Sequence, residues 1–286
     1  MRLIVISGRS GAGKSTALHV LEDAGYNCID NLPASLLPDL VKTLTTQGSD
    51  QNSAVSIDAR NTWDQLQRFP EFLSQAQHPD LDCEILYLDA RSPTLIKRFS
   101  ETRRKHPLSD EHTDLKQAIK RESDLLDPIS RVADLTIDTS DLTLHDLRDL
   151  IKQRITEKTA PGMALQFQSF GFKSGIPVDV DFVFDARCLP NPYWKPALRQ
   201  YTGKEQPVID FLSAQDDVLQ MQQDIAYYLE RWLPRFIANN RSYLTVAIGC
   251  TGGCHRSVFL CEQLYKKFSA TYPNTQLRHR ELDKNQ

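Results

Sequence analysis

In residues 1–157, short apolar runs rich in Val, Ile and Leu, at 3–7, 26–29, 54–58, 84–89 and 135–138, alternate with longer amphipathic stretches. Short continuous apolar runs suit strands buried on both faces, and the amphipathic stretches suit the helices that cover them. The pattern predicts parallel strands, each followed by a helix, the last helix spanning 144–156. Residues 157–162 are charged or small and include Pro161-Gly162, which reads as a linker between a first domain, 1–156, and a second, 163–286. Beyond it the pattern predicts strands at 163–172, 182–184, 243–248 and 275–280, and helices at 218–237 and 255–272. No internal repeat of fixed period runs through the chain.

Composition narrows the class. With 286 residues, 40% hydrophobic and 25% charged, and only 12 Gly and 15 Pro, the chain is globular rather than collagen-like or disordered. No apolar run approaches the length of a membrane span, and the apolar start is too short for a signal peptide, so the expected location is the cytoplasm, with no membrane partner. The six cysteines contain no Cys-x-x-Cys pair and read as reduced thiols. The net charge of -3 hides an asymmetry, because residues 1–157 are net acidic and residues 158–286 net basic. An anionic macromolecule would meet the second half.

Gly8-Arg9-Ser10-Gly11-Ala12-Gly13-Lys14-Ser15 fits Gly-x-x-x-x-Gly-Lys-Ser between an apolar strand and an amphipathic helix, the context a phosphate-binding P-loop requires. Backbone N–H groups and the helix N-terminus face the phosphates, Lys14 reaches the β and γ phosphates, and Ser15 is a ligand for Mg²⁺. Two strand-end acids compete to be the second Mg²⁺ ligand, Asp58 and Asp89, with Asp89 the favoured choice. Arg98, Arg103, Arg104 and Lys105 occupy the place where nucleotide kinases carry a cationic lid. The fold class that follows is α/β: an N-terminal P-loop NTPase or kinase-like parallel sheet with helices on both faces, plus a second, smaller α/β domain.

A second glycine-rich turn, Gly249-Cys250-Thr251-Gly252-Gly253-Cys254-His255-Arg256-Ser257, again joins an apolar strand to a helix and predicts another anion site, with Arg256 gripping a phosphate. Its Cys-x-x-x-x-x-Arg-Ser spacing also fits a thiolate phosphatase, and Cys250, Cys254, His255 and Cys261 offer zinc-ligand types; both remain alternatives to non-covalent phosphate or phosphosugar binding. Upstream, 170–175, 185–194 and 199–203 mix aromatic and basic residues, a combination compatible with RNA.

Together these landmarks resemble the RapZ family of bacterial RNase adapter proteins over nearly the whole chain. The matching motifs are the P-loop, Asp30-Asn31-Leu32-Pro33, Asp58-Ala59-Arg60-Asn61, the Ser169 to Pro177 stretch around Gly171-Phe172-Lys173, Leu189-Pro190-Asn191-Pro192 and Thr245 to Gly253. The resemblance implies a kinase-like domain that binds and slowly hydrolyses ATP, at Gly8 to Ser15, and GTP, at Asp58, Ala59, Arg60 and Asn61. It implies a C-terminal domain that senses glucosamine-6-phosphate through Asp185, Thr251, Gly252 and Arg256 and binds a small regulatory RNA, for which Lys173, Arg278, Arg280 and Lys284 are the candidate contacts. In enterobacterial members the RNA is presented to ribonuclease E, lowering synthesis of glucosamine-6-phosphate synthase, and the protein is a homotetramer; DNA is not an expected partner. The chain departs from the pattern at Cys254, where Lys would suit an RNA surface, and in an end less basic than the family's tail. The reading from another class is a P-loop small-molecule kinase or nucleotide-dependent metabolic regulator with no RNA role.

Overall fold

The computed structural model describes residues 1–46, 51–110, 112–157 and 162–283. Contacts divide the chain into two units, Met1–Glu157 and Lys158–Gln286. Residues 158–161 of the expected linker, and Lys284, lie outside the described residues.

In the first unit the strands β1 (Arg2–Gly8), β2 (Asn27–Ile29), β3 (Ser53–Ser56), β4 (Asp82–Asp89) and β5 (Leu135–Asp138) form one parallel sheet in the order β2-β3-β1-β4-β5. Alternation along the strands sends Leu3, Val5 and Val55, with Ile57 just after β3, into one core, against α2 (Leu37–Thr46), α3 (Trp63–Gln67), α4 (Phe69–Gln75) and α6 (Leu115–Ser130). The α1 helix (Lys14–Asp23) follows the P-loop and packs with α7 (Leu144–Ile151), while α5 (Ser92–Thr102) lies beside α6. Because β1 stands between β3 and β4, the chain leaves it toward both sides of the sheet, and the crevice at its carboxyl end is where an open parallel sheet binds ligands.

The second unit is a smaller parallel sheet, β6 (Ala164–Gly171), β7 (Phe182–Asp185), β8 (Tyr243–Cys250) and β9 (Gln276–His279), in the order β7-β8-β6-β9. Leu165, Phe167, Leu244, Val246 and Ile248 are buried with apolar residues of α8 (Gln206–Ser213), α9 (Asp216–Ala238) and α10 (Arg256–Ser269). Among the described residues, no helix is long and apolar enough to cross a membrane.

The structure adjusts three expectations. The strand expected at 54–58 stops at Ser56, so Asp58 stands in the following turn. The helix expected at 144–156 is α-helical only to Ile151 and continues as a π-helical turn over Lys152–Thr156. The short helix α8 was not expected: its eight residues are too few to show a clear helical period.

Candidate functional site

In the first unit β1 delivers Gly8 to the sheet edge opposite Leu88, where a Cβ would run into the Leu88 carbonyl; only glycine fits. The loop then turns into α1. Lys14 Nζ donates to Gly8 O (2.7 Å), which holds its ammonium at the loop. Ser15 is exposed in the first turn of α1, where backbone N–H groups have no intrahelical partner. Burial pulls the Lys14 ammonium below its ordinary range; Glu122, then Asp58, oppose that shift, Arg60 adds to it, and Asp30 opposes it.

Three contacts that the local motif does not contain brace the loop from behind. Glu122, fully buried on α6, accepts from Ser10 N (2.9 Å), Ser10 Oγ (2.7 Å) and His106 Nε2 (3.0 Å). Burial alone would raise the Glu122 carboxyl, but the His106 hydrogen bond, the Lys14 charge and the Ser10 hydrogen bonds bring it below the ordinary glutamate range. Arg98, expected in a lid, donates to Gly11 O (3.0 Å), Thr139 Oγ1 (3.0 Å) and Thr139 O (2.6 Å), and so fastens the loop to the end of β5. Arg9 donates to Asp89 Oδ1 (2.6 Å), Ser92 Oγ (3.1 Å) and Ala90 O.

The strand order sets Asp58 and Asp89 on opposite sides of the P-loop. Asp89, favoured from the sequence, has Oδ1 engaged by Arg9 Nε and by Ala90 N (2.7 Å). Asp58 likewise accepts from Arg60 N (2.9 Å) and lies 3.8 Å from Arg60 Nε, and its charge acts on Lys14. Of Asp58 to Asn61, Ala59 is buried in the core and Asn61 stitches its turn to the chain through Ala34 N (2.7 Å) and Leu32 O (3.4 Å). Asp58 and Arg60 of this group act on the charge of Lys14.

In the second unit Asp185, Thr251, Gly252 and Arg256 come together at the carboxyl edge of the sheet. Asp185 pairs in register with Gly249 and holds Arg187 through both carboxylate oxygens (2.7–3.0 Å). Arg256, at the first turn of α10, is 4% exposed; it donates to Arg187 O and Leu189 O (2.9 Å each) and to Thr251 Oγ1 (3.3 Å), while its Nε is buried without a hydrogen-bond partner. A buried guanidinium N–H left unpaired beside a glycine turn and a helix N-terminus suits an anion. Lys173 joins them: its N–H donates to Thr251 O (3.2 Å), and its ammonium would stand 4.0 Å from a Cβ on Gly252.

Cys250 ends β8 beneath this turn. Burial pushes its thiol up, but hydrogen bonds from the Ser257 hydroxyl and N–H and from the Gly253 and His255 N–H groups outweigh that and leave it below the ordinary thiol range. Among the described residues, no group of three or more His, Cys, Asp or Glu side chains is placed to hold a metal ion, so the zinc alternative at Cys250, Cys254, His255 and Cys261 has no cluster behind it.

Arg278 lies on β9. Arg280 donates to Gly171 O (3.3 Å), Gly175 O (2.6 Å) and Glu281 Oε1 (3.1 Å), so much of its bonding holds the 171–175 loop. No sequence motif marks Glu122 or His106, whereas Arg187 lies in the aromatic and basic stretch 185–194. Glu122 had one legible signal: it is an acid on the apolar stripe of α6, among Ala118, Ile119, Leu125 and Ile129.

Residues 1–159 match the RapZ-like N-terminal domain, and residues 163–283 match the RapZ C-terminal domain. A nucleotide-binding protein of Ectopseudomonas mendocina is 59% identical over 284 residues, covering 99% of this chain and 100% of its own length. Counterparts in Pseudomonas putida and Azotobacter vinelandii, also described as nucleotide-binding proteins, are 57% identical with the same coverage. Among solved structures, a sugar kinase from Janibacter sp. HTCC2649 is similar at 15% identity and a TM-score of 0.37, covering 54% of this chain and 91% of that one.

Proposed function

This chain belongs to the RapZ family, and on that premise we propose that it is a cytoplasmic, nucleotide-binding RNA adapter whose second domain senses a sugar phosphate. One observation carries the reading: each unit builds its own anion cradle from a glycine-bearing strand-to-helix turn, Gly8–Ser15 in the first and Gly249–Arg256 in the second. A protein with two cradles in two units can register two phosphorylated ligands.

The first cradle takes ATP or GTP. The first-turn N–H groups of α1 and the Lys14 ammonium meet the phosphates, and the Ser15 hydroxyl with the Asp58 carboxylate supplies the oxygen donors that Mg²⁺ prefers. Mg²⁺, when bound, neutralises phosphate charge. Hydrolysis is slow and regulatory in this reading. The second cradle takes glucosamine-6-phosphate, with Arg256, Thr251, Gly252 and Lys173 at the phosphate and Asp185 at the sugar. The net basic second half, with Arg278, Arg280 and Lys284 as candidate contacts, meets a small regulatory RNA, which a homotetramer presents to ribonuclease E to lower synthesis of glucosamine-6-phosphate synthase.

The second reading, a P-loop small-molecule kinase, draws on Asp30 and Asp58, two carboxylates within the electrostatic reach of Lys14 at the place a phosphoryl acceptor would occupy. Rapid ATP turnover that depends on one metabolite and ignores RNA would favour it. Calorimetry tests the two-cradle reading directly. Lys14→Ala should abolish ATP binding and leave glucosamine-6-phosphate binding intact, while Arg256→Ala should do the reverse, weakening the sugar phosphate by roughly tenfold or more, as expected for a charge-assisted phosphate contact. Loss of both ligands in both variants, or of neither, contradicts the assignment.

A further inference from the structure

The link between Glu122 and His106 belongs to no motif, yet it is the most deeply buried polar cluster beside the P-loop. Glu122 and His106 both have side chains with 0% exposure. The His106 tautomer follows from its neighbours: Leu108 N donates to Nδ1 (3.1 Å), so Nδ1 is the acceptor and the proton sits on Nε2, which donates to Glu122. All three donors to Glu122 are then neutral, and the carboxylate keeps a full charge. Lys14 is the cation whose field acts on it.

On the other side of His106 the chain turns outward. Arg103, Arg104 and Lys105 are consecutive and exposed, Arg103 with a left-handed backbone (φ 52°), and His106 then dives into the core against Phe99 (ring centroids 5.1 Å apart). Phe99 and Leu95 in turn close over Gly11 of the P-loop at 3.4 and 3.5 Å from where a Cβ would stand. The cationic turn is therefore tethered at its root through Glu122, which accepts one hydrogen bond from His106 and two from Ser10.

We propose that Glu122 and His106 are positioning residues of the nucleotide site: Glu122 fixes the P-loop at Ser10, and His106 uses the same carboxylate to hold Arg103, Arg104 and Lys105 at the phosphate end of the loop. The inference rests on the nucleotide reading of the P-loop.

The test is ATP affinity with Mg²⁺ by calorimetry on the full chain near neutral pH. Wild type is compared with Glu122→Gln, Glu122→Ala, His106→Gln and His106→Ala. Glu122→Gln keeps the shape and can still meet Ser10 and His106, so it should retain most of the affinity for ATP. Loss of the anchor, in Glu122→Ala, should weaken ATP by about tenfold or more. A glutamine amide can stand where Nε2–H stood, so His106→Gln should bind ATP nearly as well as wild type and His106→Ala should not. Thermal melts without nucleotide check folding; if an alanine variant unfolds, the two glutamine variants carry the test. Tenfold or greater loss in both glutamine variants, or equal loss in both His106 variants, overturns the link while the nucleotide reading stands. Wild type that binds no nucleotide at all overturns that reading, and the link with it.

Discussion

Cysteine chemistry shows at the scale of single residues how position, not residue type, sets behaviour. Burial pushes Cys28 up to about 11 and Cys83 up to about 12, and raises Cys261 well above the usual thiol, whereas Cys250, also buried, is pulled down by donors at the start of α10. Thiolate is the reactive form, so reactivity rises as pH passes the thiol's own pKa. Iodoacetamide labelling of each cysteine across pH, read by peptide mass spectrometry, should therefore show Cys250 reaching half its plateau rate at lower pH than N-acetylcysteine, with Cys28 and Cys83 far above it. A Cys250 that titrates with Cys83 would show that the donors do not reach its sulfur. Some of these residues were legible in the sequence and others were not. The P-loop is contiguous, so Gly8 to Ser15 announce themselves. Glu122 lies 112 residues from Ser10, and only the fold brings the two within 2.9 Å. The sequence could not choose between Asp58 and Asp89 because β1 has β3 on one side and β4 on the other, and both acids flank the loop. Each acid has an arginine of its own, Arg9 at Asp89 and Arg60 at Asp58.

At the scale of elements, the apolar runs located the strands well because buried parallel strands must be apolar on both faces. Their ends were less legible, since an end is set by where hydrogen bonding stops; Asp58 thus falls outside β3 despite following an apolar run. The anion turn after β8 has a comparable division of labour among its glycines. Gly253 has a left-handed backbone (φ 75°), and a Cβ there would meet Glu281 Cγ and come within 2.6 Å of Gly171 N. Gly252 has open space, with nothing nearer a Cβ than Lys173 Nζ at 4.0 Å. Gly253→Ala should cost about 1–3 kcal/mol, the scale of a strained backbone, and lower the melting temperature by several degrees. Gly252→Ala should melt close to wild type. Equal melting of the two variants would mean that the turn relaxes freely, and that the cradle is not held in shape by Gly171 and Glu281.

Two units, each with its own core and its own glycine-bearing strand-to-helix turn, make up the described molecule. Charge separates them further: residues 1–157 are net acidic and residues 158–286 net basic, so an RNA would favour the second half, where the turn after β8 also lies. In the proposed reading, a sugar phosphate bound at that turn would compete with RNA phosphates for the same basic half. The kinase rival places no ligand traffic there. The measurement that separates them is retention of total cellular small RNA by the purified protein at low salt, with and without glucosamine-6-phosphate, for wild type and Arg256→Ala. The account predicts specific RNA recovery by wild type that the sugar phosphate weakens, and recovery by Arg256→Ala that the sugar phosphate leaves unchanged. No RNA retained at low salt, where charge-driven binding is strongest, would contradict the adapter and leave the nucleotide-dependent metabolic reading in its place.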